Sequence, residues 1–364
     1  MYNLLLLEVG RKMERECQMS RAMSFLLVLS RLFGIAPLRF RRAQNGCRVS
    51  ISPRWVVYGF ICFILLGAST MIYIEIILTQ GLRSLLNLPE MLRLMNYWIA
   101  LYIFTVATIT APKRMKRLIR NMRRLEEIHT KLEHDITMSS DGELWKAWAP
   151  IPYTILGIAI ITSITTLTDK PAWTSLILFI SFLCVSTFLK YHLSFMMMAI
   201  YHTLKAINQT LTVYLTTMKE PSKLSPKTIN GYGVQYSSVC DVIFVINDKE
   251  SSLYFAIFGQ HFILTTFTIY MLGMVIREGK ITSIILQALW MLYNLSCIII
   301  NIEACQYVKS EMEKSKTIVC NVAAKSANKR MLREATDILQ QLSLVKNIFF
   351  PLGVFSLTRS FIVT

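Results

Sequence analysis

Charged side chains are scarce in this sequence. Only 17% of its 364 residues are Asp, Glu, Lys or Arg, whereas 54% are apolar, and the mean hydropathy is +0.46. Soluble domains carry about 25% charged residues, because water contacts most of their surface. The shortage of charge therefore excludes an ordinary soluble protein. It predicts a polytopic membrane protein whose surface is covered largely by lipid.

Acidic residues are the scarcer of the two signs. The chain has 22 Asp and Glu against 39 Lys and Arg, which gives a formal net charge of +17. A basic chain can bind nucleic acid, but here the basic residues lie between apolar runs and form no recognised nucleic-acid-binding module. Their position is typical of cytoplasmic loops in membrane proteins. We therefore expect membrane lipid, and no nucleic acid, among the partners.

Motifs for catalysis, metal binding and disulfide bonding are also missing. The eight cysteines have no metal-ligand spacing, and the five histidines lack neighbouring cysteine or carboxylate ligands. No P-loop, GxGxxG or Ser-His-Asp arrangement occurs. We predict that the protein is not an enzyme and holds no cofactor or metal, and we interpret the cysteines as small apolar side chains or reduced thiols.

Long apolar runs are abundant. Six of them approach or exceed the roughly 20 residues that a helix needs to cross a bilayer, and another begins near residue 348. The predicted fold is all-α: a polytopic membrane protein with six complete transmembrane helices plus the start of a seventh. The six spans are Trp55–Thr79, Leu94–Ala111 (ended by Pro112), Pro150–Leu167, Ala172–Leu193, Leu253–Ile276 and Ile281–Ala304.

The basic residues also predict the orientation of the chain. If the N-terminus is cytoplasmic, nearly all Lys and Arg residues fall on the inside, as the positive-inside rule requires. Only six of the 39 fall on outside links, namely Arg83, Arg93, Lys170, Arg277, Lys280 and Arg359. We therefore predict a cytoplasmic N-terminus, which is the opposite of a G-protein-coupled receptor.

The remaining segments complete the predicted domain organisation. Residues 1–54 form a cytoplasmic N-terminal segment, whose apolar stretch at 25–38 is too short to span and suits an interfacial or re-entrant position. Residues 55–304 form the six-helix bundle with its cytoplasmic helical extensions. Residues 305–347 form a cytoplasmic helix, and residues 348–364 lead into the seventh span.

The cytoplasmic helix carries one apolar stripe. Leu332, Ala335, Leu339 and Leu342 follow each other at spacings of three and four residues, which is typical of a helix packing face. The stripe could pack on its own subunit or form an oligomerisation surface. Its spacing does not decide between the two, because so short a stripe does not specify a coiled coil.

Three stretches together resemble one family. They are SFLLVLSRLFGIAPLRF near the N-terminus, VCDVIFVINDKESSLYFAIF before the fifth span, and IFFPLGVFSLTRSFIVT after the cytoplasmic helix. In this order and topology the chain resembles insect gustatory receptors over essentially its whole length. The resemblance implies a ligand-gated, non-selective cation channel for small-molecule tastants in the plasma membrane of chemosensory neurons. It also implies a homo- or hetero-tetramer with other gustatory receptor subunits, anchored by residues 305–347.

The sequence departs from that family in its last span. The family signature there is a Thr-Tyr pair, five mostly apolar residues and then Gln-Phe, and no copy occurs in this chain. We therefore expect the chain to stop before the pore-lining helix, with residues 348–364 as the lead-in. The candidate gating and assembly residues lie in the anchor helix and this lead-in: Leu332, Leu339, Leu342, Phe355 and Arg359.

The same resemblance implies a ligand pocket within each subunit, in the outer half of the bundle. The predicted topology places aromatic and small polar side chains there, and pockets for small molecules use this mixture. Helix packing together with an interfacial aromatic belt explains several of them equally well. The candidate ligand-binding residues are Tyr97, Trp98, Tyr102, Thr165, Thr266, Tyr270, Gln287 and Trp290.

Polar residues deeper in the spans have a simpler interpretation. Gln260 and His261 lie in the fifth span, and Asn294, Asn301 and Glu303 lie in the sixth. Polar side chains inside a membrane bundle usually form hydrogen bonds between helices. We predict that role for these five residues.

Two other functional classes compete with the channel. A metabotropic seven-span receptor requires an extracellular N-terminus, which the basic residues disfavour. A transporter is typically built from inverted repeats with helices broken in mid-membrane, and the sequence shows neither feature.

Overall fold

The computed structural model describes residues 18–19, 21–43, 46–80, 88–133, 156–160, 163, 173–217, 225–325 and 329–344, and these are nearly all helical. Among these residues, five helices (α2 to α6 below) are long and apolar enough to cross a membrane. The helices are α1 (Arg21–Leu32), α2 (Pro53–Gln80), α3 (Leu88–Glu133), α4 (Trp173–Thr217), α5 (Pro226–Glu278), α6 (Ile281–Lys325) and α7 (Lys329–Leu344).

Five of the predicted spans correspond to these long helices. Helices α2 to α6 contain the first, second, fourth, fifth and sixth predicted spans. The third predicted span, residues 150–167, lies mostly outside the described residues, of which 156–160 are helical. Residues 348–364 lie wholly outside them. The predicted membrane helices are therefore confirmed for five segments.

Pro112 does not end the helix of the second span, which corrects the sequence prediction. Helix α3 continues from Leu88 to Glu133 with Pro112 inside it. A proline removes one backbone hydrogen bond and usually kinks a helix. The flanking residues Ala111 and Met115 are both buried, so packing on either side of the proline holds the helix together. The basic segment after Pro112 is thus a direct extension of the span.

A tight turn joins α5 to α6. Gly279 follows the last residue of α5 with φ 70° and ψ 17°, and its N–H donates to the carbonyl of Ile276. Glycine adopts this left-handed conformation without the steric cost of a Cβ. The short link between the fifth and sixth predicted spans is therefore a tight hairpin turn. We call this the hairpin end of the bundle, and we call the opposite end, where α7 packs against α5 and α6, the base.

The N-terminal segment contains strands that the sequence did not predict. After α1, residues Leu38-Arg39-Phe40-Arg41 alternate apolar and basic side chains, a period that suits a strand with one buried face. Leu38 is fully buried. The result is an antiparallel sheet in the order β1-β3-β2, made of β1 (Gln18–Met19), β2 (Leu38–Ala43) and β3 (Gly46–Ile51).

Two glycines allow the segment after α1 to approach α2. Gly34 has φ 73°. A Cβ on Gly34 would lie 2.7 Å from the Cα of Gly59, and a Cβ on Gly59 would lie 2.6 Å from the carbonyl oxygen of Gly34. Both distances are far shorter than an ordinary van der Waals contact. Neither position can hold a larger residue unless the backbone moves.

Helix α4 lies at the centre of the bundle, and α2 lies at its edge. Residues 182–194 of α4 are buried without interruption, and α4 contacts α1, α2, α3, α5 and α6. By contrast, α2 exposes large apolar side chains such as Ile64, at 63% exposure. Apolar surface of this kind is suited to lipid rather than to water.

The cytoplasmic helix predicted at residues 305–347 is divided between the end of α6 and α7. Of the predicted stripe, Ala335 and Leu342 are fully buried, Leu339 is half-buried, and Leu332 is 46% exposed. Packing on the same subunit therefore accounts for Ala335 and Leu342. A role of Leu332 in assembly stays a prediction.

A buried polar cluster joins α4, α5 and α6 at the base. The side-chain oxygen of Asn208 accepts hydrogen bonds from the hydroxyls of Tyr236 (2.6 Å) and Ser315 (2.8 Å). Its Nδ2 donates to the backbone carbonyl of Glu311 (3.0 Å) and to the Glu311 carboxylate (3.2 Å). A side-chain amide offers two donors and two acceptor sites, so the hydrogen-bonding capacity of the Asn208 side chain is fully satisfied. We call these four residues the Asn208 cluster.

The glycine contact yields the first prediction. We expect Gly59→Ala to lower the free energy of unfolding by about 1–3 kcal/mol, because the new methyl group overpacks the contact with Gly34. Gly67→Ala is the control in the same helix, since a Cβ there meets nothing within 4 Å. Thermal unfolding of the purified protein measures both. An equal effect of the two substitutions would show that the contact with Gly34 does not matter.

The Asn208 cluster yields the second prediction. Asn208→Asp replaces the donor that faces Glu311 with a carboxylate oxygen, so two buried acceptors meet. We expect a loss of about 3 kcal/mol or more. Asn230→Asp is the matched control, because Asn230 also donates to a carboxylate, that of Glu334 (2.7 Å), but at an exposed position. Its cost should stay within about 1 kcal/mol, and similar melting temperatures for the two variants would contradict the argument.

Candidate ligand-binding site

A narrow cleft opens between α3, α4 and α5, nearer the hairpin end than the base. On α4 its lining residues recur at spacings of three and four, so that one face of the helix forms a wall. Aromatic and aliphatic groups form most of the surface. The cleft is lined by Asn96, Tyr97, Phe179, Phe182, Leu183, Ser186, Gln260, His261 and Leu264.

Two polar atoms in this cleft lack hydrogen bonds within the described part of the chain. Gln260 donates from Nε2 to the side-chain oxygen of Asn96 (3.3 Å), which orients the amide. Its Oε1 and the hydroxyl of Ser186 have no partner, although both side chains are buried. An unsatisfied buried polar group costs about 1–3 kcal/mol. The cleft therefore presents two groups whose hydrogen bonds a bound molecule could complete.

His261 forms part of the wall but offers no free nitrogen. Asn294 donates from Nδ2 to the carbonyl of Trp290 (2.9 Å), so its Oδ1 faces His261 Nδ1 (3.2 Å) and accepts from it. The neutral ring then carries its proton on Nδ1, and Nε2 accepts a hydrogen bond from Lys190 Nζ. Both ring nitrogens are occupied, so His261 contributes shape rather than a hydrogen bond.

Lys190 is the most unusual residue beside the cleft. It is 1% exposed, and it lies in the middle of a helix that can span the membrane. The ion pairs found among the described residues do not include it. Ionisable residues inside membrane helices are costly and typically functional. Lys190 ties α4 to His261 of α5 and so fixes one wall of the cleft.

An aromatic layer supports the cleft from the side of α6. The rings of Trp290 and Tyr293 stack, with centroids 5.2 Å apart and planes at 16°, and Trp290 lies 6.0 Å from Phe179. The hydroxyl of Tyr293 lies 3.4 Å from that of Thr187. Trp290 therefore reaches the site through Phe179 rather than as a lining residue.

The predicted ligand-binding residues do not form one group. Tyr97 lines the cleft and Trp290 packs behind it. Trp98 and Tyr102, at 47% and 49% exposure, lie together on an outer face of α3, one helical turn apart. Three further candidates lie nearer the hairpin end or on the surface, and one is outside the described residues. Thr266 is exposed, Tyr270 and Gln287 are half-buried, and Thr165 is not described.

The candidate gating and assembly residues are only partly visible. Leu342 and Leu339 pack α7 onto the base, and Leu332 faces outward. Phe355 and Arg359 lie outside the described residues.

Sequence reasoning missed the side chains that define the cleft, above all Ser186, Asn96 and Phe179. It did identify Gln260, His261, Asn294 and Asn301 as hydrogen-bonding residues, and this prediction is confirmed: Asn301 accepts from Ser194 (3.1 Å), and the others bond as described above. The available signal for Ser186 was its spacing, seven residues after Phe179, in a mostly apolar part of the helix. That spacing places both on one face.

The chemistry of the cleft is that of binding. Among the described residues, no group of His, Cys, Asp or Glu side chains could hold a metal ion. The cleft instead combines aromatic surfaces with one acceptor and one hydroxyl, which is the composition of a pocket for a small organic molecule.

Two solved structures share this fold. One is the insect olfactory receptor OR5 from Machilis hrabei in complex with eugenol, with a TM-score of 0.66, 10% identity and 93% coverage of each chain. Another structure of the same receptor has a TM-score of 0.66 and 12% identity, over 94% of this chain and 93% of that one. The search of curated proteins gives no match. At such low identity the similarity shows the fold.

A family model makes the assignment. The model of the 7tm chemosensory receptor matches residues 23–364, which include every long helix and the whole cleft. The match confirms the resemblance to insect chemoreceptors that three stretches of the sequence indicate. The chain belongs to the 7tm chemosensory receptor family.

Proposed function

We propose that this chain is a subunit of a ligand-gated, non-selective cation channel that detects small tastant molecules. One observation carries the proposal: Ser186 Oγ and Gln260 Oε1 are buried in an aromatic cleft without partners in the described part of the chain. Such a cleft suits a small organic ligand. Membership of the chemosensory receptor family supports a sensory role, and the fold of a receptor solved with eugenol supports ligand binding within the bundle.

The cleft favours a small, mostly apolar ligand that carries a hydroxyl group. Because Nε2 of Gln260 is engaged by Asn96, the free Oε1 accepts a hydrogen bond, so the ligand must supply the donor. The Ser186 hydroxyl can accept or donate. The rings of Tyr97, Phe179 and Phe182 offer surfaces on which an aromatic ligand can pack. A phenol such as eugenol combines these features.

Binding requires the cleft to widen. In the present conformation it has room for about one water molecule. A ligand that binds only the wider form stabilises that form, and the population shifts toward it. Widening the cleft separates α3, α4 and α5, which is a change in helix packing of the kind that gating needs.

Helix α5 connects the cleft with the base. It is continuous from Pro226 to Glu278 and carries both Gln260 in the cleft and Tyr236 in the Asn208 cluster. The roughly 24 helical residues between them span about 36 Å. A tilt of α5 at the cleft therefore displaces the Asn208 cluster, which lies beside α7. We propose that α6 and α7 form the assembly anchor of a tetramer, with Leu332 contacting a neighbouring subunit.

The remaining parts of the proposal follow the sequence resemblance. Phe355 and Arg359 would lie in the lead-in to the pore-lining span, and the receptor would act in the plasma membrane of chemosensory neurons. Taste is proposed rather than smell because the three stretches quoted above resemble gustatory receptors. The solved structures of similar fold are of an olfactory receptor, so the fold itself does not separate taste from smell.

The third prediction concerns the ligand. We expect a panel of small phenols, including eugenol, to evoke cation currents in cells that express the receptor with gustatory partner subunits, and to raise the melting temperature of the purified chain. Ser186→Ala should weaken binding about 2- to 10-fold, because it removes one neutral hydrogen bond. Gln260→Leu, which also breaks the bond to Asn96, should weaken it further.

Ser181→Ala is the matched control on the same helix. Its hydroxyl donates to the carbonyl of Ile177 (2.8 Å) and does not line the cleft, so ligand binding should be unchanged. If no phenol bound the wild-type chain, or if Ser181→Ala weakened binding as much as Ser186→Ala, the cleft would not be the ligand site. Binding without any evoked current would contradict the proposed channel function, but it would still support the cleft as the ligand site.

The fourth prediction concerns topology. We expect an epitope fused to the N-terminus to be inaccessible to antibody on intact cells and accessible after permeabilisation, because the basic residues favour a cytoplasmic N-terminus. An epitope in the hairpin at Gly279 should show the reverse. Surface labelling of the N-terminal epitope on intact cells would favour a metabotropic receptor and contradict the proposed channel function.

A further inference from the structure

A second cavity lies toward the base, separate from the ligand cleft. It opens between α3, α4 and α5 and has room for a few water molecules in the present conformation. In the predicted topology this position lies on the cytoplasmic side of the membrane, because Arg114 follows the second predicted span by a few residues. The cavity wall combines apolar side chains, such as Met115, Leu118 and Leu193, with a buried cationic group.

Arg114 supplies that cationic group. Its side chain is only 5% exposed. Its Nη2 donates to the carbonyl of Ile35 (2.9 Å), but Nε and Nη1 have no hydrogen-bond partner in the described part of the chain. A buried guanidinium with two idle donors is costly unless an acceptor completes its hydrogen bonds. The unpartnered Nε and Nη1 lie on different edges of the guanidinium, and each can donate a charge-assisted hydrogen bond to an oxyanion.

The neighbouring carboxylate does not neutralise Arg114. Glu250 also lines the cavity, but its Oε1 accepts hydrogen bonds from both Nε and Nη2 of Arg117. Arg117 and Glu250 therefore satisfy each other. The cavity keeps one excess positive charge, that of Arg114, and this charge attracts an anion.

His192 adds an acceptor to the same cavity. The hydroxyl of Ser30 donates to the carbonyl of Leu26 (2.8 Å), so its oxygen accepts from His192 Nε2 (3.0 Å). The neutral ring then has an unprotonated Nδ1, which is buried and without a partner among the described residues. A molecule that satisfies both Arg114 and His192 must carry acceptor oxygens and also an O–H donor.

We propose that this cavity binds a phosphate monoester, whose oxygens accept from Arg114 and whose remaining P–OH donates to His192. A phosphate monoester has its second pKa near 6, so both the acceptor oxygens and the protonated form are available at neutral pH. A phosphodiester or a plain carboxylate offers the acceptors but no such donor. The apolar part of the wall contacts the first carbons of the ester, and the rest of the carbon skeleton extends through the mouth of the cavity.

Two sources can provide this group. The first is a lipid with a phosphate monoester headgroup, since α3 carries the exposed basic residues Lys113, Lys116 and Arg120 beside the cavity, and such residues gather anionic lipid at a cytoplasmic surface. The second is a soluble phosphate from the cytoplasm. In both cases the same phosphate monoester group contacts Arg114 and His192.

The test uses the purified full chain and its melting temperature at constant ionic strength. We expect glycerol phosphate, inorganic phosphate or bilayers that contain phosphatidic acid to stabilise it in a saturable way. Bilayers with phosphatidylserine at equal surface charge serve as the diester control and should have no such effect. Stabilisation by the soluble phosphates identifies a soluble ligand, and stabilisation by phosphatidic acid alone identifies a lipid. No saturable effect of any monoester overturns the proposal.

Variants connect the effect to the cavity. Arg114→Gln should raise the half-saturating concentration about tenfold or more, the loss expected for charge-assisted hydrogen bonds. Lys131→Gln, at an exposed position near the far end of the same helix and away from the cavity lining, should leave it unchanged. If Arg114→Gln does not fold, Leu118→Phe fills the cavity without changing its charge and should abolish stabilisation. An undiminished effect in Arg114→Gln or Leu118→Phe overturns the proposal.

Discussion

Residues 182–194 of α4 are buried on all sides, so a polar group among them is stabilised only by a partner inside the protein. An unsatisfied buried polar group costs about 1–3 kcal/mol and a charged one costs more. Helices α1, α5 and α6 supply the partners, and this requirement fixes how they pack around α4. The pairs are Thr187 with Tyr293, Lys190 with His261, His192 with Ser30, and Ser194 with Asn301.

Ser186 is one of the α4 residues, together with His192 and Gln209, that carry a buried side-chain atom without a hydrogen-bond partner in the described part of the chain. Ser186 faces Gln260 across a cleft lined by aromatic rings, and Oε1 of Gln260 likewise has no hydrogen-bond partner among the described residues. The satisfied pairs toward the base hold the helices in place, while the unsatisfied pair leaves a position for an outside molecule. Ligand binding and helix packing thus depend on the same type of interaction. The ligand completes a set of hydrogen bonds that the protein leaves open.

The sequence predicts the membrane helices well, because their length and apolar composition are properties of single segments. It fails at Pro112, where packing of the neighbouring turns holds the helix together, and at the strands, whose pairing is a tertiary contact. It predicts the depth of a side chain but not which way it faces. Lipid is as apolar as a protein core, so nothing in the sequence separates exposed Trp98 and Tyr102 from cleft-lining Tyr97. A lone serine such as Ser186 usually bonds to its own helix.

The central claim is that a small molecule binds between α3, α4 and α5 and widens the cleft there. Electron cryomicroscopy of the receptor with and without a saturating phenol tests it most directly. The account predicts ligand density within hydrogen-bonding distance of both Ser186 Oγ and Gln260 Oε1, with these helices farther apart than in the free receptor. Ligand density at another place in the bundle, with the cleft unchanged, would contradict it.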